Sequence, residues 1–325
     1  MSEQDIVRGF EAKIGKLFPD CRGMRPVRIE RTQVSPAWAK DSLIVRCTAQ
    51  FANGMSRVAW GKIDRRTSFT RTLAVNRFLK AASARVQGPL TAEILGNVPR
   101  EHIIFYAEAP GKPLSDVLEE GAWAERKTGI RSAARLLAGL HRLSVPNARV
   151  PVAERISRKR YGALASRAMG RIPMLVHWSA VPVLPRGGRR GFVHNDFYPG
   201  NIIIHGNSAR SIDVSKGGLG SPLFDLAQLV SAFVLPESIR GAQLSKTDRR
   251  RSIALFLKMY CALTGENITK IRNALPPFVS FVLVERVFDY LALLERGSRS
   301  AGNEYGRNIT DLLHEAERWR SGFSM

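Results

Sequence analysis

The spacing of hydrophobic positions changes along the chain, from short runs typical of strands to longer helical repeats. In the first hundred residues the strand-like runs are Pro26–Arg31, Leu43–Phe51, Ser56–Ile63, Ala92–Leu95 and His102–Ala107. The turn Ala52-Asn53-Gly54 separates the second run from the third, and Asn and Gly accept the positive φ angles of a tight hairpin. This pattern predicts an antiparallel sheet.

Two segments of this first part have a helical period instead. Residues 1–20 carry an apolar residue at every fourth position from Ile6 to Phe18, which predicts an amphipathic helix. The run Arg65–Arg85 predicts a second helix between the third and fourth strands. The first hundred residues therefore predict a small sheet with one inserted helix and an N-terminal helical extension.

After Ala109-Pro110-Gly111-Lys112-Pro113 the pattern becomes mostly helical. Helices are predicted at Ser132–Leu143, Leu223–Leu235, Arg249–Leu263, Phe278–Leu294 and Thr310–Arg320, and a β-rich block at 192–215. Pro- and Gly-rich connections occupy 144–153 and 182–191. The sequence thus predicts an α+β protein of two domains, residues 1–108 and 109–325.

The composition is that of a folded protein. Of the 325 residues, 44% are hydrophobic and 24% are charged, which excludes a disordered chain. The three cysteines lie far apart without C-x-x-C spacing, so we expect reduced thiols and no Cys-rich zinc site. No secretory pattern begins the sequence, and the longest apolar stretches are too short to span a bilayer. We therefore expect a cytoplasmic protein.

The formal charge of +22 raises the question of anionic partners. The basic runs Arg155–Arg160 and Arg249–Arg251 leave weak contact with an anionic membrane surface open. Aromatic residues are not interleaved with them at stacking spacing, so we expect no dedicated nucleic-acid binding. The block 191–237 departs from the trend, with four acidic and two basic residues.

That acidic block contains the pattern most informative about chemistry. His194 and Asp196 lie on a loop between two apolar strands, Asn201 follows five residues after Asp196, and Asp213 follows the next strand. In phosphoryl transfer one carboxylate orients or deprotonates the attacking hydroxyl. A second carboxylate and an amide oxygen can hold Mg²⁺ against the nucleotide phosphates. The spacing of Asp196, Asn201 and Asp213 suits these separate roles.

The segment Phe192-Val-His-Asn-Asp-Phe-Tyr-Pro-Gly-Asn-Ile-Ile203 resembles the Brenner-type motif of the aminoglycoside phosphotransferase and choline kinase superfamily, and its His-Asn-Asp variant is especially like that of choline and ethanolamine kinases. The resemblance implies a bilobal protein-kinase-like fold. A small antiparallel sheet with one helix would form the nucleotide-binding lobe, residues 1–108 with the helical extension 1–20. A larger, mostly helical lobe, residues 109–325, would carry catalysis and substrate binding.

The resemblance also implies roles for single residues. Asp196 would be the catalytic base or the carboxylate that orients the hydroxyl. Asn201 and Asp213 would bind Mg²⁺, and His194 would be a structural residue of the catalytic loop that hydrogen-bonds the metal segment. Asp225, in Gly220-Ser-Pro-Leu-Phe-Asp-Leu-Ala227, would buttress the catalytic loop, although an Asp at a helix start also serves as a simple cap.

Three further segments extend the resemblance. Val58-Ala-Trp-Gly-Lys62-Ile-Asp is similar to the third strand with its phosphate-binding lysine, Lys62. Ile103–Leu114 is similar to the hinge strand and its Pro-Gly turn, which implies that backbone groups of Tyr106, Ala107 and Glu108 meet the adenine. Ala134–Leu143 resembles the helix ending in Leu-His that supports the catalytic loop.

The sequence departs from the family in its first part. The family's lysine pairs with an acid on the small-lobe helix, but residues 65–85 contain no Asp or Glu. Thr72 and Asn76 fall nearest to the expected position. Lys62 would then be held by a substitute carboxylate, such as Glu93, or by the nucleotide alone. The loop Ser35–Asp41 also has no glycine to bring backbone amides onto phosphates.

A C-terminal helix offers a candidate for acceptor recognition. Glu285 and Asp289 are four residues apart and share one helix face. In the family, acidic residues on such helices hold the amine of the acceptor. Pairing of these carboxylates with Arg286 or another neighbour is the alternative.

Three functions follow. The first is an ATP- or GTP-dependent, Mg²⁺-dependent phosphotransferase that phosphorylates a hydroxyl of a small molecule, like aminoglycoside and choline kinases. The second is a kinase of an anionic or membrane-associated acceptor such as a glycolipid. The third is a catalytically weak kinase-like binding module.

Overall fold

A computed structural model of the chain describes residues 2–33, 43–64, 66–83, 90–143, 191–234, 244–295 and 302–321. The loop Ser35–Asp41, the basic run Arg155–Arg160 and almost all of the two Pro- and Gly-rich connections lie outside the described residues. The chain divides into two compact units. The first comprises Met1–Pro110 and Arg210–Lys216, and the second comprises Gly111–Ala209 and Gly217–Met325.

The first unit is built on a five-stranded antiparallel sheet. Its elements are α1 Glu3–Leu17, a 3₁₀ turn Pro19–Cys21, β1 Arg28–Gln33, β2 Leu43–Gln50, β3 Ser56–Ile63, α2 Arg66–Ser83, β4 Ile94–Val98 and β5 Ile103–Ala107. The strand order is β1-β2-β3-β5-β4. The predicted antiparallel sheet with one inserted helix, α2, and an N-terminal helical extension, α1, is confirmed.

The two faces of this sheet have different chemistry. Successive side chains of a strand point to opposite faces, so Gly61 of β3 and Phe105 of β5 share the face that α1 covers. The helix packs there through its apolar stripe, and a Cβ atom added at Gly61 would overlap Ile6. Lys62 and Tyr106 belong to the opposite face. The N-terminal helix thus forms a core with one face of the sheet.

The second unit is mostly helical. Its elements are β6 Lys112–Pro113, α3 Leu114–Glu120, α4 Trp123–His141, β7 Gly191–Val193, β8 Ile202–His205, β10 Gly218–Gly220, α5 Pro222–Val234, α6 Lys246–Thr264, α7 Ile268–Ala274, α8 Pro276–Glu295 and α9 Gly302–Arg320. The strand β9, Ser208–Ser211, contains the boundary between the units. Antiparallel pairing joins β7 to β10 and β6 to β8. This helical part, after an N-terminal sheet, confirms the predicted α+β class.

The structure adds detail that the periodicity did not predict. Helix α4 begins at Trp123 rather than Ser132, and the short helices α3 and α7 were not predicted. Each of these short helices has only seven residues, too few for a clear 3.6-residue repeat. Helix α6 begins at the Ser245 cap, whose hydroxyl accepts from the Asp248 N–H, and ends at Gly265 with φ +75°.

Two sequence expectations concern the environment of the chain. Across the described ranges, none of the helices combines the length and apolar character needed to cross a membrane. The three cysteines are free thiols and all are buried. Burial raises the pKa of the Cys47 thiol to about 12, so this side chain stays protonated and behaves as a small apolar residue.

Candidate active site

The loop between β7 and β8, in the second unit, brings Asp196 and Asn201 together. The Asn201 Nδ2 atom donates to the backbone carbonyl of Asp196 at 2.9 Å and to its Oδ2 atom at 3.2 Å. The loop closes through a 3₁₀ turn over Pro199–Asn201, in which the Asn201 N–H donates to the Tyr198 carbonyl. The spacing of five residues therefore produces a direct contact.

A buried carboxylate on α5 holds the backbone of this loop. The Oδ2 atom of Asp225 accepts from the His194 N–H at 2.7 Å, and its Oδ1 atom accepts from the Asn195 N–H at 2.7 Å. The His141 Nε2 atom lies 3.0 Å from Oδ2, and the His141 Nδ1 atom lies 2.9 Å from the Tyr260 hydroxyl. Asp225 is fully buried, so these contacts replace the water that its charge would otherwise need.

The charge of Asp225 is stabilised by this environment. Burial alone would raise its pKa, but the hydrogen bond with His141, the nearby histidines and the His194 N–H outweigh burial. The net result is a pKa below the ordinary value. Asp225 is therefore both a loop anchor and an anion near the start of α5, where the helix dipole favours negative charge.

Gln228 is a second anchor that the sequence reasoning missed. Its Oε1 atom accepts from the Phe197 N–H at 2.8 Å, and its Nε2 atom donates to the Asn195 carbonyl at 3.0 Å. Gln228 follows Asp225 by three residues, so both side chains leave α5 on the same face. A polar residue in an otherwise apolar stretch of α5 is the signal that could have identified it.

The helix α8 also contacts the catalytic loop. The guanidinium carbon of Arg286 lies 4.0 Å from the centroid of the Tyr198 ring, a cation–π arrangement. Glu285, the preceding residue, is half-buried, and the side chain of Asp289 lies outside the described residues. The predicted role of the two acids in acceptor binding stays a prediction. Asp196, Asn201 and Asp225, together with the residues named in this paragraph, are called the catalytic-loop site.

The first unit contains a buried lysine with two carboxylates, which we name the lysine site. The Lys62 Nζ atom lies 2.8 Å from Asp213 Oδ1 and 3.3 Å from Asp64 Oδ1. Only 6% of Lys62 and 4% of Asp64 is exposed, whereas the side chain of Asp213 is 33% exposed. Asp213 belongs to this unit although its position in the sequence falls within the predicted second domain.

The three charges of the lysine site influence one another. Burial lowers the pKa of Lys62, but the carboxylates of Asp213 and Asp64 outweigh it and the net shift is upward. Burial opposes the charge of Asp213 too, yet Lys62 and the Ser215 hydroxyl hold its pKa well below the usual range. Burial raises the pKa of Asp64 more than Lys62 lowers it. Lys62 and Asp213 therefore hold opposite charges that stabilise each other in a buried environment.

The segment around Asp213 is fixed by the rest of the first unit. Asp213 has φ +52°, a left-handed conformation that is uncommon outside glycine. The Ser215 hydroxyl donates to its Oδ1 atom at 2.7 Å, and Arg71 of α2 donates to the Lys216 carbonyl at 3.3 Å. Upstream, the Ser211 hydroxyl donates to the Leu90 carbonyl at 2.8 Å. Strain of this kind persists where the surroundings impose it, and it is frequent at functional sites.

The substitute partner suggested for Lys62 proves wrong. The Glu93 carboxylate lies 3.7 Å from Lys80 Nζ, on an exposed part of the unit, and Asp64 contacts Lys62 instead. Asp64 follows β3 directly, so it lies two residues from Lys62 on the same side of the strand. Alternation of side chains along β3 predicts this partner, whereas the family resemblance points to an acid on α2.

The predicted adenine contact involves the end of β5. The Ala107 N–H donates to the Glu93 carbonyl at 2.8 Å, so this donor is already used. The Glu108 side chain forms an exposed ion pair with Arg46 at 2.9 Å. The Tyr106 hydroxyl is buried and receives no hydrogen bond from the described residues. Burial, with Asp213 and Asp64 nearby, raises the pKa of Tyr106.

The donor atoms fit the group that the resemblance implies. The hydrogen bonds of Asn201 use its amide nitrogen, which makes its amide oxygen the atom suited to a metal ion. The hydrogen bonds that described residues make to Asp213 both end on Oδ1, and its side chain is partly exposed. Amide and carboxylate oxygens are the ligands that Mg²⁺ prefers, with nucleotide phosphates and water completing its octahedron. Both side chains therefore suit Mg²⁺.

A five-stranded antiparallel sheet followed by a helical part with an Asp-x₄-Asn loop is the architecture of kinase-like phosphotransferases. The chain belongs to the phosphotransferase enzyme family, abbreviated APH, whose family model matches residues 62–256. No curated protein sequence matches the chain. The family match begins at Lys62, near the end of β3, and extends through the catalytic loop into α6.

Solved structures share this fold at low sequence identity. The amicoumacin kinase hAmiN, in complex with AMP-PNP, Ca²⁺ and Ami, is 14% identical, with a TM-score of 0.65 over 97% of this chain and 94% of that one. A choline kinase from Cryptosporidium parvum is 14% identical, with a TM-score of 0.66 over 98% and 96%. The ADP-bound aminoglycoside phosphotransferase APH(2'')-Ib is 15% identical, with a TM-score of 0.59 over 98% and 99%. The similarity concerns the fold.

Proposed function

We propose that the protein is a Mg²⁺-dependent kinase that transfers the γ-phosphoryl group of ATP or GTP to a hydroxyl group of a small molecule. The observation that carries this proposal is the contact between Asp196 and Asn201 on a loop whose backbone is fixed by Asp225. Phosphoryl transfer depends on positioning and electrostatic stabilisation, so a rigid carboxylate on a fixed loop is the feature the reaction requires.

Asp196 has the central role in this mechanism. Its carboxylate accepts a hydrogen bond from the acceptor hydroxyl and orients the oxygen toward the γ-phosphorus. A new P–O bond forms to that oxygen while the bond between the γ-phosphorus and the bridging β–γ oxygen breaks, so the nucleoside diphosphate leaves. The hydroxyl proton passes to Asp196 or to the phosphorylated product. Asn201 holds the Asp196 carboxylate through its amide N–H.

Lys62 and a Mg²⁺ ion held by the metal ligands would neutralise the negative charge of the nucleotide phosphates. Lys62 is a buried ammonium kept charged by its carboxylate partners, and we assign it to the phosphates. Asn201 and Asp213 would hold Mg²⁺, which supplies charge neutralisation at the phosphates when bound. The complex of a fold relative with AMP-PNP and Ca²⁺, and the ADP complex of another, support a nucleotide–metal cofactor pair.

The remaining site residues keep supporting roles. We assign adenine recognition to backbone groups of residues 106–108, with the Ala107 N–H excluded because Glu93 already accepts it. His194 stays a structural residue of the loop. The division into a nucleotide-binding part, residues 1–108, and a catalytic part, residues 109–325, is part of the same proposal.

The acceptor is proposed to approach the catalytic loop beside α8. Arg286 of this helix stacks on Tyr198, which is two residues from Asp196, so α8 borders the loop. Glu285 is adjacent to Arg286 and half-buried, which suits a carboxylate that receives a cationic amine. We therefore propose an amine-bearing alcohol as the acceptor, with Glu285 and Asp289 as its anionic contacts.

The experiment is a transfer assay with an acceptor panel, read by release of ADP with and without Mg²⁺. The panel covers aminoglycosides, choline, ethanolamine, homoserine, sugars and lipids. Asp196→Asn and Asp213→Ala should each abolish transfer while the far-UV circular dichroism stays that of wild type. Wild-type turnover by either variant would contradict the site assignment.

An anionic acceptor is the second candidate, and a cavity in the second unit favours it. The cavity is about 500 Å³ in volume, with an apolar wall that includes Ile253, Leu257 and Trp319. Five of its lining residues are basic and one is acidic, namely Lys246, Arg249, Arg250, Arg272, Arg318 and Glu315. A ligand with an apolar body and an acidic group suits such a lining.

The location of this cavity restricts the acceptor. Val234 lines it at the end of α5, whereas Asp225 anchors the catalytic loop near the start of that helix. The two residues are separated by roughly 14 Å along the helix axis, at 1.5 Å per residue. An acceptor with its anionic group in the cavity must therefore be long, as a glycolipid is, to present a hydroxyl to Asp196.

A pair of adjacent arginines tests this candidate. Arg250 lines the cavity, whereas Arg251 lies over the ring of Trp123 at 4.8 Å. If the cavity docks an anionic acceptor, Arg250→Gln should raise the KM for that acceptor several-fold and Arg251→Gln should not. The KM should also rise steeply with salt. Equal KM values for the two variants would exclude the cavity as the docking site.

The third candidate, a catalytically weak binding module, depended on the missing helix acid and on the loop Ser35–Asp41, which has no glycine. The carboxylates that pair with Lys62 reduce its support, because the lysine retains charged partners. A nucleotide-induced thermal shift without ADP release on any acceptor would favour the module. A shift accompanied by ADP release favours the kinase.

A further inference from the structure

We infer that Asp64 is a positioning residue for Lys62, in place of the acid that the family carries on its small-lobe helix. The inference rests on the proposed function, because Lys62 matters to catalysis only if a nucleotide binds beside it. It assigns to Asp64 a contribution to nucleotide affinity. Asp196, by comparison, contributes to the transfer step.

The geometry of β3 supports the pairing. Lys62 and Asp64 are two residues apart along an extended chain, so both side chains leave the same side. The Asp64 Oδ1 atom lies 3.3 Å from the Lys62 Nζ atom, and both side chains are at least nine-tenths buried. The Asp64 backbone N–H donates to the His102 carbonyl at 3.1 Å. This hydrogen bond fixes the backbone from which the Asp64 side chain extends. Asp64 is therefore attached to a rigid part of the sheet.

Helix α2 offers no alternative carboxylate, because Arg66–Ser83 contains no Asp or Glu. The residues at the expected position of the helix acid, Thr72 and Asn76, are both buried and neutral. The Asn76 amide donates to the Thr72 carbonyl of its own helix at 3.1 Å. The Thr72 side chain is close enough to Asp64 for its hydroxyl to lower the pKa of that carboxyl. Thr72 therefore lies beside the position that Asp64 occupies.

A second carboxylate matters because Asp213 has another proposed partner. Asp213 is the more exposed of the two acids and is assigned to Mg²⁺, whose charge it would then share. A buried ammonium without a carboxylate loses much of the stabilisation of its charge. Asp64 is nearly inaccessible to solvent, so it can remain beside Lys62 both with and without a metal ion on Asp213. It would keep the lysine oriented when Asp213 shares its charge with the metal.

The test compares nucleotide binding and turnover in Asp64 variants. Asp64→Asn keeps the size of the side chain and removes its charge. Calorimetry with AMP-PNP and Mg²⁺ should give a Kd about tenfold to a hundredfold higher than wild type, the range for one lost charged contact. The KM for ATP should rise by a similar factor, with a smaller change in kcat. Asp196→Asn should show the opposite split, with kcat lost and Kd unchanged.

A relocated carboxylate distinguishes positioning from a structural role. Asp64→Ala combined with Thr72→Glu places the acid on α2, where the family has it. This double variant should recover most of the nucleotide affinity that Asp64→Ala alone loses. Asp64→Glu, which retains the charge near its original place, should lose less affinity than Asp64→Asn. The matched control is Glu93→Gln, which removes an exposed acid of the same unit and should leave Kd unchanged.

The outcomes separate the inference from the proposed function. If folded Asp64→Asn binds AMP-PNP with the wild-type Kd and retains the wild-type KM, the role of Asp64 is wrong while the kinase assignment stands. If the wild-type protein binds no nucleotide, the proposed function fails and the role of Asp64 fails with it. If Asp64→Asn and Asp64→Ala do not fold, the test uses Asp64→Glu and the double variant Asp64→Ala with Thr72→Glu. The inference is overturned if these two variants fold but do not bind nucleotide.

Discussion

The Oδ1 atom of Asp225 accepts a 2.7 Å hydrogen bond from the backbone N–H of Asn195, which precedes it by 30 residues. Asn195 has φ +63°, a conformation that costs free energy in a residue with a side chain. The hydrogen bond, with the one that His194 donates to the same carboxylate, compensates this cost. The residue next to Asp196 is thus held in its strained conformation by helix α5.

Replacing Asp225 tests this relationship. Asp225→Ala leaves two buried N–H groups and His141 without their acceptor, so the free energy of unfolding should fall by about 3–5 kcal/mol. The catalytic loop should lose its fixed geometry, which lowers kcat strongly. Urea unfolding and the ADP-release assay measure the two effects.

Nucleotide affinity is the control in this experiment. Because the lysine site belongs to the first unit, the Kd for AMP-PNP measured without Mg²⁺ should change little in a folded Asp225 variant. A variant that loses several kcal/mol of stability yet turns over at the wild-type rate would show that the anchor does not act on the catalytic loop.

Gln228 should contribute less than Asp225, because it is neutral. Gln228→Leu removes the hydrogen bonds that Gln228 makes to the Phe197 N–H and the Asn195 carbonyl, which should lower the free energy of unfolding by about 1–3 kcal/mol. Gln228→Glu retains an acceptor for Phe197 but sets a carboxylate oxygen against the Asn195 carbonyl, so it should not restore the stability at neutral pH. Equal stabilities of wild type and Gln228→Leu in urea would mean that these two hydrogen bonds do not hold the loop.

The two anchors of the catalytic loop, Asp225 and Gln228, differ in how far the sequence predicts them. Asp225 follows Asp213 at a spacing that matches the family, which predicts its role, and the contact between Asp196 and Asn201 follows from a spacing of five on one loop. Gln228 carries no such motif, since its function depends on which face of α5 meets the loop. Tyr260 supports His141 from another helix, a tertiary contact that no local pattern contains.

The pH dependence of stability should reflect the carboxylate of Asp225. Its pKa in the folded protein lies below the ordinary 3.8, because His141 and the backbone donor outweigh burial. The contribution of its charge is therefore present above about pH 3.8 and lost as the pH falls through the folded pKa. The stability difference between wild type and Asp225→Asn should be largest near neutral pH and shrink in acid. Urea titrations between about pH 3 and 7 measure it, and a difference that grows in acid would contradict this origin.

The N-terminal helix provides a prediction about the sheet. A side chain at Gly61 would overlap Ile6 of α1, so Gly61→Ala should lower the free energy of unfolding by about 1–3 kcal/mol through overpacking. Because Gly61 adjoins Lys62, nucleotide affinity should fall as well.

A double-mutant cycle isolates the overlap. Ile6→Ala removes the clashing atoms, so Gly61→Ala should cost less in that background than in wild type. Additive losses in the two single variants and the double variant would indicate that α1 does not press on Gly61.

The first unit shows where family resemblance and simple strand geometry lead to different expectations. The helix acid is absent, and the sequence suggested Glu93 as its substitute, but Glu93 lies beside Lys80. The side-chain alternation of β3 places Asp64 with Lys62, and a prediction based on that alternation would have been correct. The bounds of β2, β3, α2 and β5 were predictable to within two residues because Asn53-Gly54 and the apolar periods are local signals, whereas β1 and β4 lie two to three residues beyond the predicted runs. The pairing of Lys62 with Asp213, 151 residues apart, was not predictable from local pattern.

The most direct test of the account follows the γ-phosphoryl group itself. Wild-type protein, Asp196→Asn and Asp213→Ala are incubated with γ-labelled ATP, Mg²⁺ and the acceptor panel, and labelled products are separated from ATP and inorganic phosphate. The account predicts label on an alcohol acceptor with wild type and none with Asp196→Asn, although that variant binds AMP-PNP normally. Label transferred equally by wild type and Asp196→Asn, or label that stays in ATP with the wild-type protein across the whole panel, would contradict it.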